Sequence, residues 1–485
     1  MPRREAVSRP LPPEPDGCYR EVMKPAPPPA ISLLSAHSTI AWPALPGREA
    51  AMTLSVLQQL EQSQWWTPEE VFSQQLRQAA ELLHHAYRHL PYYRDRLAEA
   101  GFVPGKALTP AVWAAIPLLT RAGLQEAGAA LHSPEIPKSH GVTYEISSSG
   151  STGRPVKAKS TRMAQLLWDA LTLREHLWHR RDFAGTLAVI RSQPMGVADY
   201  PAGTRNAFWG HSLKGILKTG PSAALAISSR IDEQAEWLQR VQPDYLLTYP
   251  SALRDLLIHC RKEGITFPTL REVRTLSELL PPDTRELCRD VWGLKIADMY
   301  STQENGYLAF QCPEQARYHI QAENALVEVL NEADEPCQAG EVGRVVVTSL
   351  HNFAMPMIRY VVGDLAEVGA PCPCGRGLPV LNRILGRVRN MLVYPDGRKA
   401  WALMGDMYYS EIPEIRQFQI VQHSLEDVEI KLVAERPLTP EEEQRVCGWF
   451  HQRSGHAFPV RITYHEEIPR GPSGKFEDFR SEVAV

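Results

Sequence analysis

No stretch of this 485-residue chain stays apolar for the roughly 20 residues that a membrane-spanning helix needs. Its first residues carry no compact apolar segment behind their basic start. A membrane-spanning or exported protein is therefore not expected; the cytoplasm is. Charge of one sign is also missing. The 52 Lys and Arg stand against 56 Asp and Glu, net −4, and no long basic run is present to neutralise a phosphodiester backbone, so nucleic acid is not an expected partner. Cysteine is scarce at eight residues, too thinly spread over this length for a disulfide framework. The Walker pattern is absent as well, because no Gly-Lys-Ser/Thr follows a glycine at the four-residue gap.

What is there is the composition of a folded protein, 44% hydrophobic and 22% charged. The length exceeds what one core usually serves, so at least two domains are expected. Pro10, Pro12, Pro13, Pro15, Pro25, Pro27, Pro28 and Pro29 deny regular hydrogen bonding, and residues 1–50 read as a poorly ordered tail. From about Thr67, Val71, Leu76, Ala79, Leu82, Leu83 and Tyr87 recur at helical spacing. Between 183 and 330, short apolar runs (TLAVIR, DYLLTY, KIADMY) alternate with helical ones (EQAEWLQRV, SALRDLLIHC), which predicts crossover units and a largely parallel sheet. GEVGRVVVTSL and MPMIRYVVGDLAEV lack intervening helices and predict an antiparallel or barrel-like continuation. The fold class expected is α/β: a large domain with mixed sheets over 51–386 and a small α+β domain over 387–485, its helix capped by Thr439.

The segment SSSGSTGRPVKAKST, Ser147 to Thr161, surrounds Gly150 and Gly153 with Ser148, Ser149, Ser151 and Thr152 and follows them with Arg154. Glycines let a backbone approach an anion closely, and consecutive amides and hydroxyls can donate to phosphate oxygens. A solvated Ser/Gly surface loop is the plainer reading. The segment nevertheless resembles the phosphate-binding signature of the adenylate-forming (ANL) superfamily, and four further segments in order extend the likeness. DMYSTQENG is similar to that superfamily's next motif; the resemblance implies Tyr300 and Ser301 beside the nucleotide, Thr302 near the phosphates and Glu304 on magnesium. IRYVVGDLA supplies Asp364 for the ribose hydroxyls, and ILGRVRNML supplies Arg387. Where the family generally has an aspartate shortly after that arginine, this chain has Arg389 and Asn390, which leaves the hinge position open. PRGPSGKFEDF resembles the C-terminal catalytic loop, with Lys475 in the place of the lysine that bridges carboxylate and α-phosphate.

Within the superfamily the chain looks most like the phenylacetate-CoA ligase branch and its CapK-like relatives, from about residue 70 to the end, on HLPYYRDRL, PDYLLTYPSAL, CPCGRGLP and IPRGPSGKFEDF. The resemblance implies ATP-dependent activation of a carboxylic acid to an acyl-adenylate, followed by rotation of the small domain and transfer to coenzyme A. An amine or a carrier-protein thiol is the alternative acceptor, and a non-catalytic adenylate-binding protein is the rival of another class. Trp178, His179, Trp209 and Tyr249 fall where that branch builds its acyl pocket; they point to an aromatic acid or are simply core. Oligomeric state is open, a homodimer included.

Cys312, His319, Cys372 and Cys374 form a thiolate and imidazole set of the size tetrahedral zinc requires, with Cys337 as a substitute. Such a site also resembles a feature of some members of the branch. Buried thiols packing as small hydrophobes are the plain alternative.

Overall fold

The computed structural model describes residues 31–147, 157–387, 391–401, 412, 414–471 and 474–483. Twelve strands form one mixed sheet, in the order Ala325–Leu330, Val342–Ser349, Tyr360–Val368, Val380–Arg387, Tyr318–Ile320, Gly306–Gln311, Ile296–Thr302, Glu272–Leu276, Tyr245–Thr248, Leu187–Arg191, Ser222–Ala226 and Thr204–Asn206. The five strands from Ile296–Thr302 to Ser222–Ala226 pair in parallel. All the remaining pairs are antiparallel. The antiparallel strands thus extend the parallel sheet and close no separate barrel, because strand Gly306–Gln311 turns straight back on Ile296–Thr302 and continues its edge.

Alternating periodicities explain the layers. Helices Ile231–Val241, Pro250–Glu263 and Pro282–Trp292 lay Leu238, Leu253, Leu257 and Leu287 on one face of the parallel strands, against Ala188, Ile190, Leu246 and Val273. Helix Arg162–Trp178 covers the opposite face with Leu171 and Leu173. Each fully buried leucine here contributes about 1.5–3 kcal/mol. Helix Pro68–His89 forms as its pattern predicts: Thr67 and Glu70 make a reciprocal capping box, Pro68 occupies the first turn, and Val71, Leu76, Ala79, Leu82 and Leu83 are buried. Among the described residues no helix is long and apolar enough to cross a membrane.

The Pro-rich tail is shorter than its composition suggests. Helix Arg48–Ser63 begins inside it, and Ser32 and Leu34 already hydrogen-bond to Lys218 and Ile216. The large sheet ends at Arg387, and a four-stranded sheet follows in the order Val460–Tyr464, Asp427–Ala434, Ile415–Ser424, Phe479–Ser481, with helix Pro440–Ser454 on it. That helix starts at the Thr439 cap, in a box with Glu442, and stops at Gly455 in the left-handed region. Its own core gathers Phe418, Ile420, Ile430, Leu432 and Phe450.

Candidate active site

In a parallel sheet, ligands collect outside the C-terminal ends of the strands, where loops and helix N-termini converge. Here those ends deliver Arg191 and Ser192, Ile227, Tyr249, Glu278 and the turn from Thr302 to Gly306. The phosphate-loop candidates Ser148, Ser149, Gly150, Ser151, Thr152, Gly153 and Arg154 lie outside the described residues, as do Arg389 and Asn390. The hairpin that carries that loop is defined: strands Thr143–Ser147 and Lys157–Thr161 pair antiparallel, down to Ser147 opposite Lys157.

Tyr300, Asp364 and Arg387 come together although 64 and 23 residues of chain separate them. The Tyr300 hydroxyl donates to Asp364 Oδ2 at 2.8 Å, and Arg387 Nε stands 3.7 Å from Asp364 Oδ1. Burial, reinforced by the Asp364 charge, holds the Tyr300 hydroxyl far above its ordinary pKa, so it stays a donor. Ser301 and Thr302 follow a bulge in strand Ile296–Thr302 and pair with Tyr307 and Gly306. Thr302 Oγ1 accepts from the Asn305 amide and side chain, both at 3.1 Å, which fixes the turn that carries half-buried Glu304.

Lys475 arrives on the loop that leads into the small sheet's strand Phe479–Ser481. Burial and then Arg387 lower its pKa, while Glu278, Asp364 and Glu304 oppose them, so its ammonium sits within electrostatic reach of four groups on the large sheet. The approach is tight. Gly474 has φ +75°, and a Cβ there would come within 2.9 Å of Ser192 Cβ, a place and conformation that suit only glycine. Arg254 grips Asp478 through two bonds of 2.8 and 2.7 Å, and Glu278 accepts the Phe476 amide at 2.7 Å. Arg254 and Glu278 carry no motif; only their partners Phe476 and Asp478, inside the PRGPSGKFEDF segment, hint at them.

Three of the four aromatic and histidine candidates for an acyl pocket belong elsewhere. Trp178 donates to Gln64 Oε1 and packs edge-on against His319 at 5.7 Å. Trp209 donates to the Gly185 carbonyl in a core cluster, and His179 pairs with Glu272 at 3.1 Å. Tyr249 does lie by the site, its hydroxyl accepting the Ser192 amide at 3.4 Å.

Cys312, His319, Cys372 and Cys374 bring their ligand atoms within 4.8 Å of one another. Cys372 Sγ to Cys312 Sγ is 3.9 Å and Cys374 Sγ to His319 Nε2 is 3.3 Å. A tetrahedron with Zn–S and Zn–N bonds of standard length has edges of about 3.4–3.8 Å, so the donor set and its spacing fit that ion. Without a cation, burial pushes the Cys312 thiol up to about 12 and raises that of Cys372. Burial brings His319 down to about 4, leaving its ring neutral and able to ligate. Cys337 is not in the set; it packs in the main core beside Leu330 and Gly343.

With this geometry in hand, the kin of the chain are informative. Residues 394–481 match the model of the CapK C-terminal domain. Phenylacetate-coenzyme A ligase of Thermus thermophilus is 26% identical over 383 residues, 76% of this chain and 82% of the relative. The enzyme of the same name from Pseudomonas putida is 25% identical over 324 residues, 64% of this chain and 69% of its own. A crystal structure of 2-hydroxyisobutyryl-CoA ligase in the postadenylation state superposes with a TM-score of 0.63 at 19% identity, over 84% of this chain and 88% of that one. The fold is the one that this CoA ligase has. The chain is similar to phenylacetate-coenzyme A ligases over most of its length and to the CapK C-terminal domain over residues 394–481.

Proposed function

We propose that the protein activates a carboxylic acid with ATP and passes the acyl group to coenzyme A. The observation that carries this reading is the position of Lys475: the loop ahead of strand Phe479–Ser481 seats it against the large domain, with Gly474 at Ser192 and the Phe476 amide on Glu278, where Arg387, Glu278, Asp364 and Glu304 act on its ammonium. Relatives that carry the name phenylacetate-coenzyme A ligase support both the chemistry and the acceptor.

A carboxylate oxygen attacks the α-phosphorus, the bond to the bridging oxygen breaks, and pyrophosphate leaves. Lys475 offsets the charge that gathers between carboxylate and α-phosphate, and Asp364 holds the ribose hydroxyls with Tyr300 and Arg387 orienting its carboxylate. The segment Ser148 to Arg154 is assigned the leaving pyrophosphate, and Thr302 the phosphates. Magnesium on Glu304 would supply further charge neutralisation of the polyphosphate. In the second half-reaction the thiol sulfur attacks the acyl carbonyl, AMP departs, and the thiol proton is released. The four Cys and His ligands are proposed to hold a structural zinc ion, which would tie strands Gly306–Gln311 and Tyr318–Ile320 to the connection ahead of Val380–Arg387. The division at Arg387 into a large and a small mobile domain belongs to the same proposal.

Acid-dependent exchange of labelled pyrophosphate into ATP, over a panel of aliphatic and aromatic carboxylic acids, tests the reading. Exchange with at least one acid is expected, falling about a hundredfold or more in Lys475→Ala. CoA-dependent AMP release then separates a CoA ligase from an amide-forming or carrier-loading enzyme. Exchange with none of the acids, in a protein that binds ATP, would support a non-catalytic role.

A further inference from the structure

Glu278 stands two residues beyond strand Glu272–Leu276, just after Ser277 in the left-handed region at φ 73°. Its side chain is 6% exposed, and both carboxylate oxygens are occupied in different directions. Oε2 accepts the Ser251 amide at 2.9 Å, in the first turn of helix Pro250–Glu263, so this oxygen is anchored to the large sheet's own layer. Oε1 accepts the Phe476 amide at 2.7 Å. That amide belongs to the peptide group whose carbonyl is that of Lys475, so the carboxylate grips the backbone at the lysine itself. The same carbonyl, Lys475 O, accepts the Gly471 amide at 2.9 Å and closes the small domain's loop.

Arg470 completes the arrangement from the small-domain side. It donates to Ser251 Oγ at 2.7 Å and lies 3.8 Å from Glu278 and 3.6 Å from Asp255. A buried carboxylate that accepts two amides and faces one guanidinium is satisfied only while the loop is seated. If the small domain swings away, Phe476 and Arg470 leave together and the charge keeps a single strong partner, Ser251. Leaving a buried charge under-partnered is costly, which ties the charge of Glu278 to one orientation of the small domain.

We infer that Glu278 is a positioning residue: through the Phe476 amide and Arg470 it seats the Lys475 loop for acyl-adenylate formation and releases it for thioester formation. The inference deepens the adenylation reading of the same site and rests on it for the half-reactions, while the seating itself can be read without any turnover. Lys262 Nζ and Glu435 Oε1 lie 2.7 Å apart across the junction, so a carbodiimide should join these two native side chains as an amide only in the seated orientation.

The test compares wild type, Glu278→Gln and Arg470→Met, each checked for folding by circular dichroism. The Lys262–Glu435 cross-link is quantified by mass spectrometry, adenylation is followed by pyrophosphate exchange with the best acid of the panel, and thioester formation is started from the synthetic acyl-adenylate and CoA. Both variants are expected to lose cross-link yield by about fivefold or more and exchange by about tenfold, with thioester formation within about twofold of wild type. Equal cross-linking in wild type and both folded variants would overturn the inference, as would a parallel loss of both half-reactions. Absence of exchange in wild type would sink the adenylation reading instead, and the cross-link would still decide the seating by Glu278. If Glu278→Gln failed to fold, Arg470→Met would decide the same question from the other side of the contact.

Discussion

Asp364 and Arg387 face each other as register partners on adjacent antiparallel strands, 3.7 Å from Oδ1 to Nε, while the Tyr300 hydroxyl reaches the other carboxylate oxygen at 2.8 Å. The carboxylate is thereby oriented before any nucleotide enters. Two ribose hydroxyls donating to a charged acceptor, the role proposed for Asp364, are worth about 1.5–3 kcal/mol each, so Asp364→Ala should raise the KM for ATP by about a hundredfold or more. Tyr300→Phe removes only an orienting bond worth about 1 kcal/mol and should raise it about fivefold. Steady-state kinetics in ATP checks both; an unchanged KM in Asp364→Ala would take the ribose role away from that residue.

Gly474 offers a sharper steric test. An alanine there would need both a left-handed backbone and the space now held by Ser192 Cβ, 2.9 Å away. Gly474→Ala should leave the melting temperature of the isolated fold nearly unchanged, since the strain is relieved by unseating the loop, yet slow adenylation by about tenfold, an expected penalty of about 1–2 kcal/mol. Wild-type exchange rates in that variant would show that the loop is not seated as described.

The junction also carries a pH dependence. Burial raises the Asp255 carboxyl from 3.8 to about 6, against the pull of Arg254 and Arg470 and with the help of Asp478 and Glu278. Between those two values the folded chain retains a proton that the unfolded chain releases, so this group's contribution to stability falls as pH rises through the window and is level above about 6. Melting temperatures of wild type and Asp255→Asn, taken from pH 4 to 7, should therefore diverge in favour of the variant as pH rises. A constant difference across the range would contradict the assignment.

Metal analysis of purified protein should find about one zinc per chain, lost in a Cys372→Ser, Cys374→Ser double variant. Removing the ion leaves three thiols and one imidazole crowded together, and stability should fall by several kcal/mol, read as a lower melting temperature in the variant or after chelation. Metal-free wild type with an unaltered melting temperature would reduce the cluster to packed thiols.

Local chemistry was legible from residue order. The capping box at Thr67 and Glu70, the alternation of apolar runs and the crossover helices follow from hydrogen-bond geometry and periodicity, which act over a few residues. Asp364, Arg387, Tyr300 and Glu304 could be singled out because each sits in a short segment of recognisable pattern. Glu278, Arg254 and Asp255 could not. Their meaning comes from partners up to 224 residues away, such as Asp478 for Arg254, and no spacing rule encodes that distance. Trp178 and His179 show the converse: their residue types suit an aromatic pocket, but their side chains pack around His319 and Glu272.

The amino-acid order by itself determined the α/β class and singled out candidate groups for a nucleotide and an acid and a candidate set of sulfur and nitrogen ligands. Only the tertiary structure decided that the antiparallel strands prolong the parallel sheet, that Cys337 stands apart from the other thiols, and that Glu278 holds the backbone at Lys475. The reason is physical: periodicity and turn chemistry are short-range, whereas the satisfaction of a buried charge depends on whichever distant groups the packed layers bring within 3 Å.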